Sequence, residues 1–300
     1  MTVYLGGSSV MQETGKISAA GKVGYFFLAL AATAACIVLQ LVCALAVVIP
    51  AIIVEMVQFT VKNPYYDPNN LMQLYWELYN KWAPFGVLAY HVVGTIVFAI
   101  WYRFCFWKPR PTIRQSFRKF SLKSFLVAIG CGVALCLFAN GTVVLEMYII
   151  PNQVESYMQM AEMAGLGTNI WVALTSIILA PLGEEFICRG LVLQYGKRCF
   201  GHFWIANLLQ ALLFGLIHMN WVQGIYAFVI GLVLGYLVKL FDTILPAMLM
   251  HLVVNLSSST WIAYLLEPVP ATLPMGIILT VIPWMVIIPL LLWGRKKKLQ

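Results

Sequence analysis

Long apolar runs separated by short polar segments dominate the pattern along this chain. About 20 apolar residues are needed to cross the ~30 Å hydrocarbon core of a bilayer, and about eight runs come near that length. They cover residues 25–54, 84–106, 124–150, 169–195, 203–219, 224–238, 244–264 and 273–293. The pattern predicts an all-α polytopic membrane protein with about eight transmembrane helices.

Composition and charge support this class and exclude others. Hydrophobic residues make up 62% of the chain, charged residues 10%, and the mean hydropathy is +0.87. Such a chain cannot bury its apolar surface in one aqueous globule. The net charge of +8 would suit nucleic acid, but the basic residues lie between the apolar runs and at the C-terminus. We therefore expect the lipid bilayer, and no nucleic acid, as a partner.

The distribution of basic residues predicts the orientation of the helices. If the N-terminus lies inside, sixteen cationic residues fall on the inner side and only Lys62 and Lys81 on the outer side. This bias follows the positive-inside rule. We expect a multi-pass protein of the cell membrane with both termini in the cytoplasm. The outer segment 152–168 is rich in methionine and is expected to form an interfacial helix or a lid; the inner segment 108–123 is basic and interrupted by aromatic residues.

Three charged residues lie within the fourth run, in the stretch Pro-Leu-Gly-Glu-Glu-Phe-Ile-Cys-Arg. A charge near the bilayer centre costs about 2.5–3.5 kcal/mol on insertion scales, so Glu184, Glu185 and Arg189 are functional candidates. Glu185 and Arg189 have the i,i+4 spacing of a helical ion pair. Glu184 is turned by about 100° from Glu185 and faces another neighbour. We expect the pair to be structural and Glu184 to be available as a general base or acid.

Polar residues on two other predicted helices lie at a similar depth. With a rise of about 1.5 Å per residue, Glu184 lies ~20 Å from the inner end of its helix and His218 ~24 Å from its own. His251 and Asn255, also spaced i,i+4, lie ~14 Å and ~20 Å in. We expect these four to meet. His91 is interpreted as a packing residue, although it could line the same cavity.

At these residues the chain resembles the CPBP intramembrane metalloproteases, a family that includes the CAAX prenyl endopeptidases. The family pattern is Glu-Glu-x-x-x-Arg, then Phe-x-x-x-His, then His-x-x-x-Asn or Asp. Here it stands as Glu184-Glu185 with Arg189, Phe214 with His218, and His251 with Asn255, in that order. The stretch from Gly231 to Gly235 is also similar, and its small-xxx-small spacing favours close helix packing. The resemblance covers about residues 170–260.

The resemblance implies an intramembrane endopeptidase that hydrolyses a peptide bond in a membrane-associated, lipidated or hydrophobic substrate. Glu184 would activate water, with Glu185 and Arg189 in the same catalytic set. His218, His251 and Asn255 would bind a metal or stabilise the oxyanion. A divalent metal, Zn²⁺ being the expected one, would have Glu184, His218 and His251 as ligands, since imidazole and carboxylate suit zinc. No His-Glu-x-x-His motif occurs in the chain, and water activated by glutamate alone is the alternative.

On this interpretation the chain divides into four parts. They are a cytoplasmic segment (1–24), the N-terminal transmembrane helices and loops (25–168), the catalytic core (169–264), and a last helix with a basic cytoplasmic tail (265–300). Two other functions fit the sequence. A non-catalytic scaffold or immunity protein of the same fold would have no need for Glu184 or the histidines. A proton-coupled transporter could use buried acids as a relay, but the inverted repeats common in transporters are not evident.

Overall fold

Every regular element in the described part of the chain is helical. The computed structural model describes residues 17–65, 67–107, 117, 119–163, 169–259 and 261–295. The helices there are α1 (Ala19–Lys62), α2 (Leu71–Tyr102), α3 (Leu122–Ile149), α4 (Pro151–Met163), α5 (Ile170–Phe200), α6 (Phe203–Leu216), α7 (Trp221–Phe241), α8 (Leu245–Ser258), α9 (Trp261–Leu266), α10 (Leu273–Val281) and α11 (Trp284–Gly294). The predicted all-α class is confirmed.

Six segments among the described residues are long and apolar enough to cross a membrane. They are Ala19–Lys62, Leu71–Phe106, Leu122–Ile149, Ile170–Phe200, Trp221–Phe241 and Leu273–Gly294. The fifth and seventh predicted spans correspond to α6 and α8, which have 14 residues each. At about 1.5 Å per residue each is ~21 Å long, shorter than the hydrocarbon core. The protein is therefore a polytopic helical membrane protein.

Several helix boundaries differ from those predicted. The second helix begins at Leu71 instead of residue 84, because the polar residues that precede Pro84 continue the helix beside α1. Pro84 itself lies inside α2 and is buried. The predicted last span is divided at Pro283 into α10 and α11, since proline lacks the N–H that would continue the helical hydrogen bonds.

Side-chain contacts bring together residues that are predicted to lie on the inner side of the membrane. At one end Lys119 pairs with Asp242, and the Lys123 Nζ donates to the Arg295 carbonyl at 3.3 Å. Lys239 lies over the ring of Phe203, 4.5 Å from its centroid, which links α7 to the start of α6 at this end. This clustering agrees with the predicted sidedness. Which end faces the cytoplasm stays a prediction.

The predicted outer helix is present as α4. The Tyr157 hydroxyl lies 3.3 Å from the Tyr226 hydroxyl, which connects α4 to α7, and Val154 of α4 is 4% exposed. An interfacial position and a lid function stay predictions, and residues 164–168 lie outside the described part. Most of the basic segment 108–123, residues 1–16 and the tail residues 296–300 also lie outside it.

Helix α5 carries the charged stretch and lies at the centre of the packing. Ile187, Leu191 and Val192 are fully or almost fully buried within the main hydrophobic cluster. A side chain at Gly183 would bring its Cβ within 3.0 Å of the Thr95 Oγ1, so glycine allows α2 to approach α5 closely there. The fold thus holds α5 between α2 on one side and α8 on the other.

Candidate active site

Two π-helical segments flank the acidic pair in α5. They span Thr175–Leu179 and Phe186–Val192, while Ala180–Glu185 is α-helical and continues through Pro181. Such π turns are rare in proteins, and those that occur are frequently found at functional sites. The Asn255 Nδ2 of α8 donates to the Ser176 carbonyl at 2.8 Å, so the first π segment provides an anchor between two helices.

The predicted ion pair is present and fully enclosed. The Arg189 Nη1 donates to the Glu185 Oε1 at 2.8 Å, and both side chains are 0% exposed. The Arg189 Nη2 also reaches the Gly231 carbonyl at 3.3 Å, and the guanidinium lies 4.4 Å from the centroid of the Phe214 ring. Because a buried charge is tolerated only when it is paired and hydrogen-bonded, these contacts explain how Arg189 remains inside the bundle.

Glu185 also orients His251. The His251 Nδ1 lies 2.9 Å from the same Glu185 Oε1 that Arg189 contacts. A carboxylate only accepts hydrogen bonds, so Nδ1 carries the proton and the neutral ring leaves a lone pair on Nε2. That Nε2 lies 3.7 Å from the Glu184 Oε2. Glu185 thereby fixes the tautomer of a histidine that faces the second carboxylate.

His218 is oriented in the same way by the backbone. It follows α6, and its Nδ1 donates to the Phe214 carbonyl at 2.8 Å, which again leaves Nε2 with a lone pair in the neutral ring. Phe214 meets the rings of His218 and His251 edge to face, at centroid distances of 5.1 and 5.6 Å. Phe214, which is 1% exposed, therefore contacts both imidazole rings and the Arg189 guanidinium.

Glu184 and His218 open onto a cavity of about 170 Å³. This volume has room for several water molecules, each of which needs at least ~10–15 Å³ measured with a water-sized probe. The cavity is also lined by Cys36, Gln40, Tyr90, His91, Ile217 and Gln223. His91 thus lies in the cavity wall, the second of the two roles considered for it. In the described part of the chain Glu184 forms no hydrogen bond, so its carboxylate is open to a bound molecule.

The structure brings five of the six predicted catalytic residues together. Glu184, Glu185, Arg189 and His251 form one connected group, and His218 joins it through Phe214 and the cavity. Asn255 differs: its amide is bonded to the Ser176 carbonyl, and it does not line the cavity. At this place Asn255 holds α8 against α5.

A buried carboxamide network behind the site was not recognised from the sequence. The Asn207 Nδ2 donates to the Leu232 carbonyl at 3.0 Å, and the Gln210 Nε2 donates to the Asn207 Oδ1 and the Gly231 carbonyl at 2.8 and 2.9 Å. Gly231 thus accepts from both Gln210 and Arg189. The signal was available, because Asn207 and Gln210 interrupt an apolar run at i,i+3 spacing.

The predicted metal ligands fit a metal ion only in part. In the described part of the chain His218 and His251 each have a hydrogen-bonded Nδ1 and an Nε2 without a hydrogen bond, which is the usual arrangement of a metal-ligating histidine. However, within the described residues no group of three or more His, Cys, Asp and Glu side chains lies close enough to hold an ion. The set Glu184, His218 and His251 therefore stays a prediction.

The fold and this geometry define a polytopic helical membrane protein with a polar cavity enclosed by its helices. Residues 166–257 match the family described as type II CAAX prenyl endopeptidase Rce1-like. The resemblance to the CPBP family is thereby confirmed for this part of the chain, which carries α5 to α8 and all six predicted catalytic residues. The match indicates a membrane protease of the CAAX type. No curated protein and no solved structure matches the chain.

Proposed function

We propose that the protein is an intramembrane endopeptidase in which Glu184 activates water. The observation that carries this proposal is the placement of Glu184, which opens with His218 onto a cavity and lies 3.7 Å from the His251 Nε2. Among the described residues this carboxylate has no hydrogen-bond partner, and ionisable side chains inside membrane-spanning segments are rare. A role in catalysis explains why a carboxylate lies beside two oriented imidazoles, whereas a role in packing does not.

The proposed reaction is the hydrolysis of one peptide bond. Glu184 takes a proton from a water molecule while the water oxygen forms a bond to the peptide carbonyl carbon. The carbonyl oxygen takes up the negative charge, and its electron pair then re-forms the carbonyl as the C–N bond breaks. The proton held by Glu184 passes to the leaving nitrogen, so the products are a carboxylic acid and an amine, which become a carboxylate and an ammonium group once the acid gives up its proton to the amine. General base catalysis of this kind contributes about 10²- to 10⁴-fold.

The neighbouring residues prepare Glu184 for this role. Arg189 holds Glu185, and Glu185 holds the proton of His251 at Nδ1, so the Nε2 of His251 is directed toward Glu184. In this tautomer neutral His251 and His218 accept hydrogen bonds at Nε2 and can orient the attacking water. Protonated, either ring would become a donor for the oxyanion. Asn255 supports the arrangement through Ser176.

The expected substrate is a hydrophobic or lipidated peptide associated with the membrane. The cavity lies among helices whose outer faces are apolar, including exposed Ile37, Val38 and Leu41 of α1. A polar substrate would lose its hydration on entry, which is costly in an apolar environment. The similarity to prenyl endopeptidases supports a prenylated peptide as the first compound to try.

The test uses purified protein in lipid nanodiscs with an S-farnesylated peptide, and cleavage products are read by mass spectrometry. We expect wild type to cleave one bond, and Glu184→Gln to lose at least about 100-fold in rate. Glu155→Gln, the same change on the exposed face of α4, is the matched control and should retain the wild-type rate. If Glu184→Gln cleaves at the wild-type rate, the proposed role of Glu184 is wrong.

A chelator arm in the same assay addresses the metal. Zn²⁺ is the second candidate for water activation, because the free Nε2 atoms of His218 and His251 are suitable ligands. Loss of cleavage with a chelator and recovery with Zn²⁺ would place a metal at the site. Unchanged cleavage after chelation, together with metal analysis of the purified protein, would favour water activated by Glu184 alone.

A further inference from the structure

We propose that Gln40 of α1 and Gln223 of α7 form a subsite that hydrogen-bonds the peptide backbone of the substrate. This inference rests on the proposed function and extends it to residues outside the motifs. Both residues line the same cavity as Glu184 and His218. Gln40 lies outside the segment that matches the family, and neither glutamine belongs to the three motifs.

Gln40 stands at the mouth of the cavity. Cys36 and Gln40 are spaced i,i+4 on one face of α1 and both line the cavity, but Cys36 is 2% exposed whereas Gln40 is exposed. The cavity wall therefore runs along α1 from buried Cys36 to exposed Gln40. The residues that flank Gln40 in the sequence are all apolar: Ile37, Val38, Leu39, Leu41 and Val42. A carboxamide at this position has an unfavourable transfer energy unless it finds a polar partner.

Gln223 approaches the cavity from α7. It lies in the first turn of that helix, where its backbone N–H is bonded to the Asn220 Oδ1 at 3.1 Å. The backbone is thus satisfied and the side chain remains available. Within the described residues, neither the Gln40 nor the Gln223 carboxamide forms a hydrogen bond. Two glutamines with unpartnered carboxamides, on different helices, therefore line one cavity.

Carboxamides have the donor and acceptor groups that an extended peptide requires. Each offers an N–H₂ donor and a carbonyl acceptor, the same pair that each peptide unit presents. A peptide that enters an apolar environment in extended form must find partners for its backbone groups, since an unsatisfied group there costs several kcal/mol. Backbone recognition of this kind also tolerates variation in the substrate's side chains. The two glutamines would thus hold the substrate in the extended form that exposes one bond to Glu184.

The experiment measures equilibrium binding and cleavage separately. The probe is a fluorescein-labelled, S-farnesylated hydrophobic peptide, with the full-length protein in lipid nanodiscs and empty nanodiscs as blank. Binding is measured on the Glu184→Gln background, with Gln40→Met or Gln223→Met added. Methionine keeps the length of glutamine and removes its hydrogen bonds. Gln58→Met is the matched control, because Gln58 is an exposed glutamine of the same helix, 18 positions further along.

We expect each cavity substitution to raise the Kd about 3- to 10-fold, which corresponds to the loss of one hydrogen bond. With Glu184 restored, KM should rise by a similar factor while kcat changes little, because the lost contact is made in the ground state as well. Gln58→Met should leave both unchanged. Peptides N-methylated at single positions complete a double-mutant cycle. The methylation that removes the contacted N–H should weaken wild type and leave the Gln40→Met variant unaffected.

The inference is overturned if Gln40→Met and Gln223→Met bind the probe as Gln58→Met does. It is also overturned if both weaken every N-methylated peptide by the same factor, which would indicate a general change of cavity shape. Failure of the proposed function looks different: wild type would then cleave nothing, while the binding arm still reports on the glutamines. Thermal unfolding of each variant, followed by tryptophan fluorescence, shows that a loss of binding is not a loss of fold.

Discussion

Two ion pairs in this protein have similar geometry and opposite surroundings. In the site, the Arg189 Nη1 lies 2.8 Å from the Glu185 Oε1 and both side chains are 0% exposed. In the α1–α2 hairpin, the Lys81 Nζ lies 2.6 Å from the Glu55 Oε1, with side chains 56% and 26% exposed. The shorter contact belongs to the more exposed pair. Distance alone therefore does not tell which pair contributes more to stability.

The difference lies in what each charge would lose if its partner were removed. In the hairpin a remaining charge is solvated or reaches another polar group, such as the Trp82 Nε1 that already donates to Glu55. In the site a remaining charge has no route to water, and removing one partner of such a pair costs about 3–5 kcal/mol. The same buried pair also orients His251, so the surroundings turn an ordinary ion pair into part of a candidate active site.

The largest effect is expected for Arg189→Met. It leaves the Glu185 carboxylate buried without its cation, so we expect the free energy of unfolding to fall by about 3–5 kcal/mol. Thermal unfolding in detergent, followed by tryptophan fluorescence, measures the change. Arg198→Met on the same helix is the matched control. It removes cation–π contacts with Phe106 and Tyr25, each worth about 0.5–1 kcal/mol.

A double variant sharpens this test. Glu185→Leu combined with Arg189→Met removes both charges, and it should recover most of the stability that Arg189→Met loses. Cleavage should remain impaired, because His251 has lost the carboxylate that fixes its tautomer. Recovery of both stability and cleavage would show that Glu185 has no role beyond balancing Arg189.

An intermediate effect is expected for Gly235→Ala, behind the site. The new Cβ would lie 1.8 Å from the Asn207 Oδ1 and 2.8 Å from the Gln210 Nε2, so the carboxamide network must move. Overpacking of this kind typically costs about 1–3 kcal/mol. The same unfolding assay measures it. Gly24→Ala is the control, since the Cβ that this change would add has no neighbour within 4 Å beyond its own stretch of helix backbone. Equal losses in the two variants would contradict the proposed packing role.

The smallest effect is expected for Lys81→Met. The pair with Glu55 is partly exposed, and exposed pairs contribute about 0.2–1 kcal/mol. We therefore expect a small loss of stability and a wild-type rate of cleavage, measured in the same two assays. A loss as large as that of Arg189→Met would mean that the hairpin is buried by something beyond this chain, and the comparison between the two pairs would fail.

The parts of the site that depend on one helix could be predicted from the sequence. Glu185 and Arg189 are four residues apart in α5, so helix geometry alone brings them together. The depth estimates also placed Glu184 and His251 at similar levels, and the structure brings them within 3.7 Å. Rise and spacing therefore predict the pair within α5 and the similar depth of Glu184 and His251, but not the contact between the two helices.

The parts that depend on helix orientation could not be predicted. To predict the hydrogen bond between Glu185 and His251, one must know how α5 and α8 face each other. The residue spacing along either helix does not give this orientation. Asn255 is bonded to the carbonyl of Ser176, a residue of the π-helical segment Thr175–Leu179 in α5. The glutamines of the cavity wall lie on helices that meet the site only in the folded bundle.

The same limit explains the helix boundaries. The polar residues before Pro84 suggested a loop, yet they continue α2 because a second, smaller hydrophobic cluster packs α1 against α2 there. The core of that cluster is Val48, Ile52, Leu74 and Leu78. Hydropathy averaged along one helix contains no information on packing between two helices. The extension of α2 from residue 84 back to Leu71 was therefore not predicted.

The measurement that tests the central claim most directly is the single-turnover rate of peptide cleavage by Glu184→Gln, with the reaction run in ¹⁸O-labelled water. The S-farnesylated peptide is the substrate, and Glu155→Gln is the control for the loss of one acidic residue. We expect wild type and control to place one ¹⁸O in the new carboxylate at equal rates, and Glu184→Gln to be at least about 100-fold slower while binding the peptide as before. Cleavage by Glu184→Gln at the wild-type rate would contradict the account, because another group would then have to activate the water.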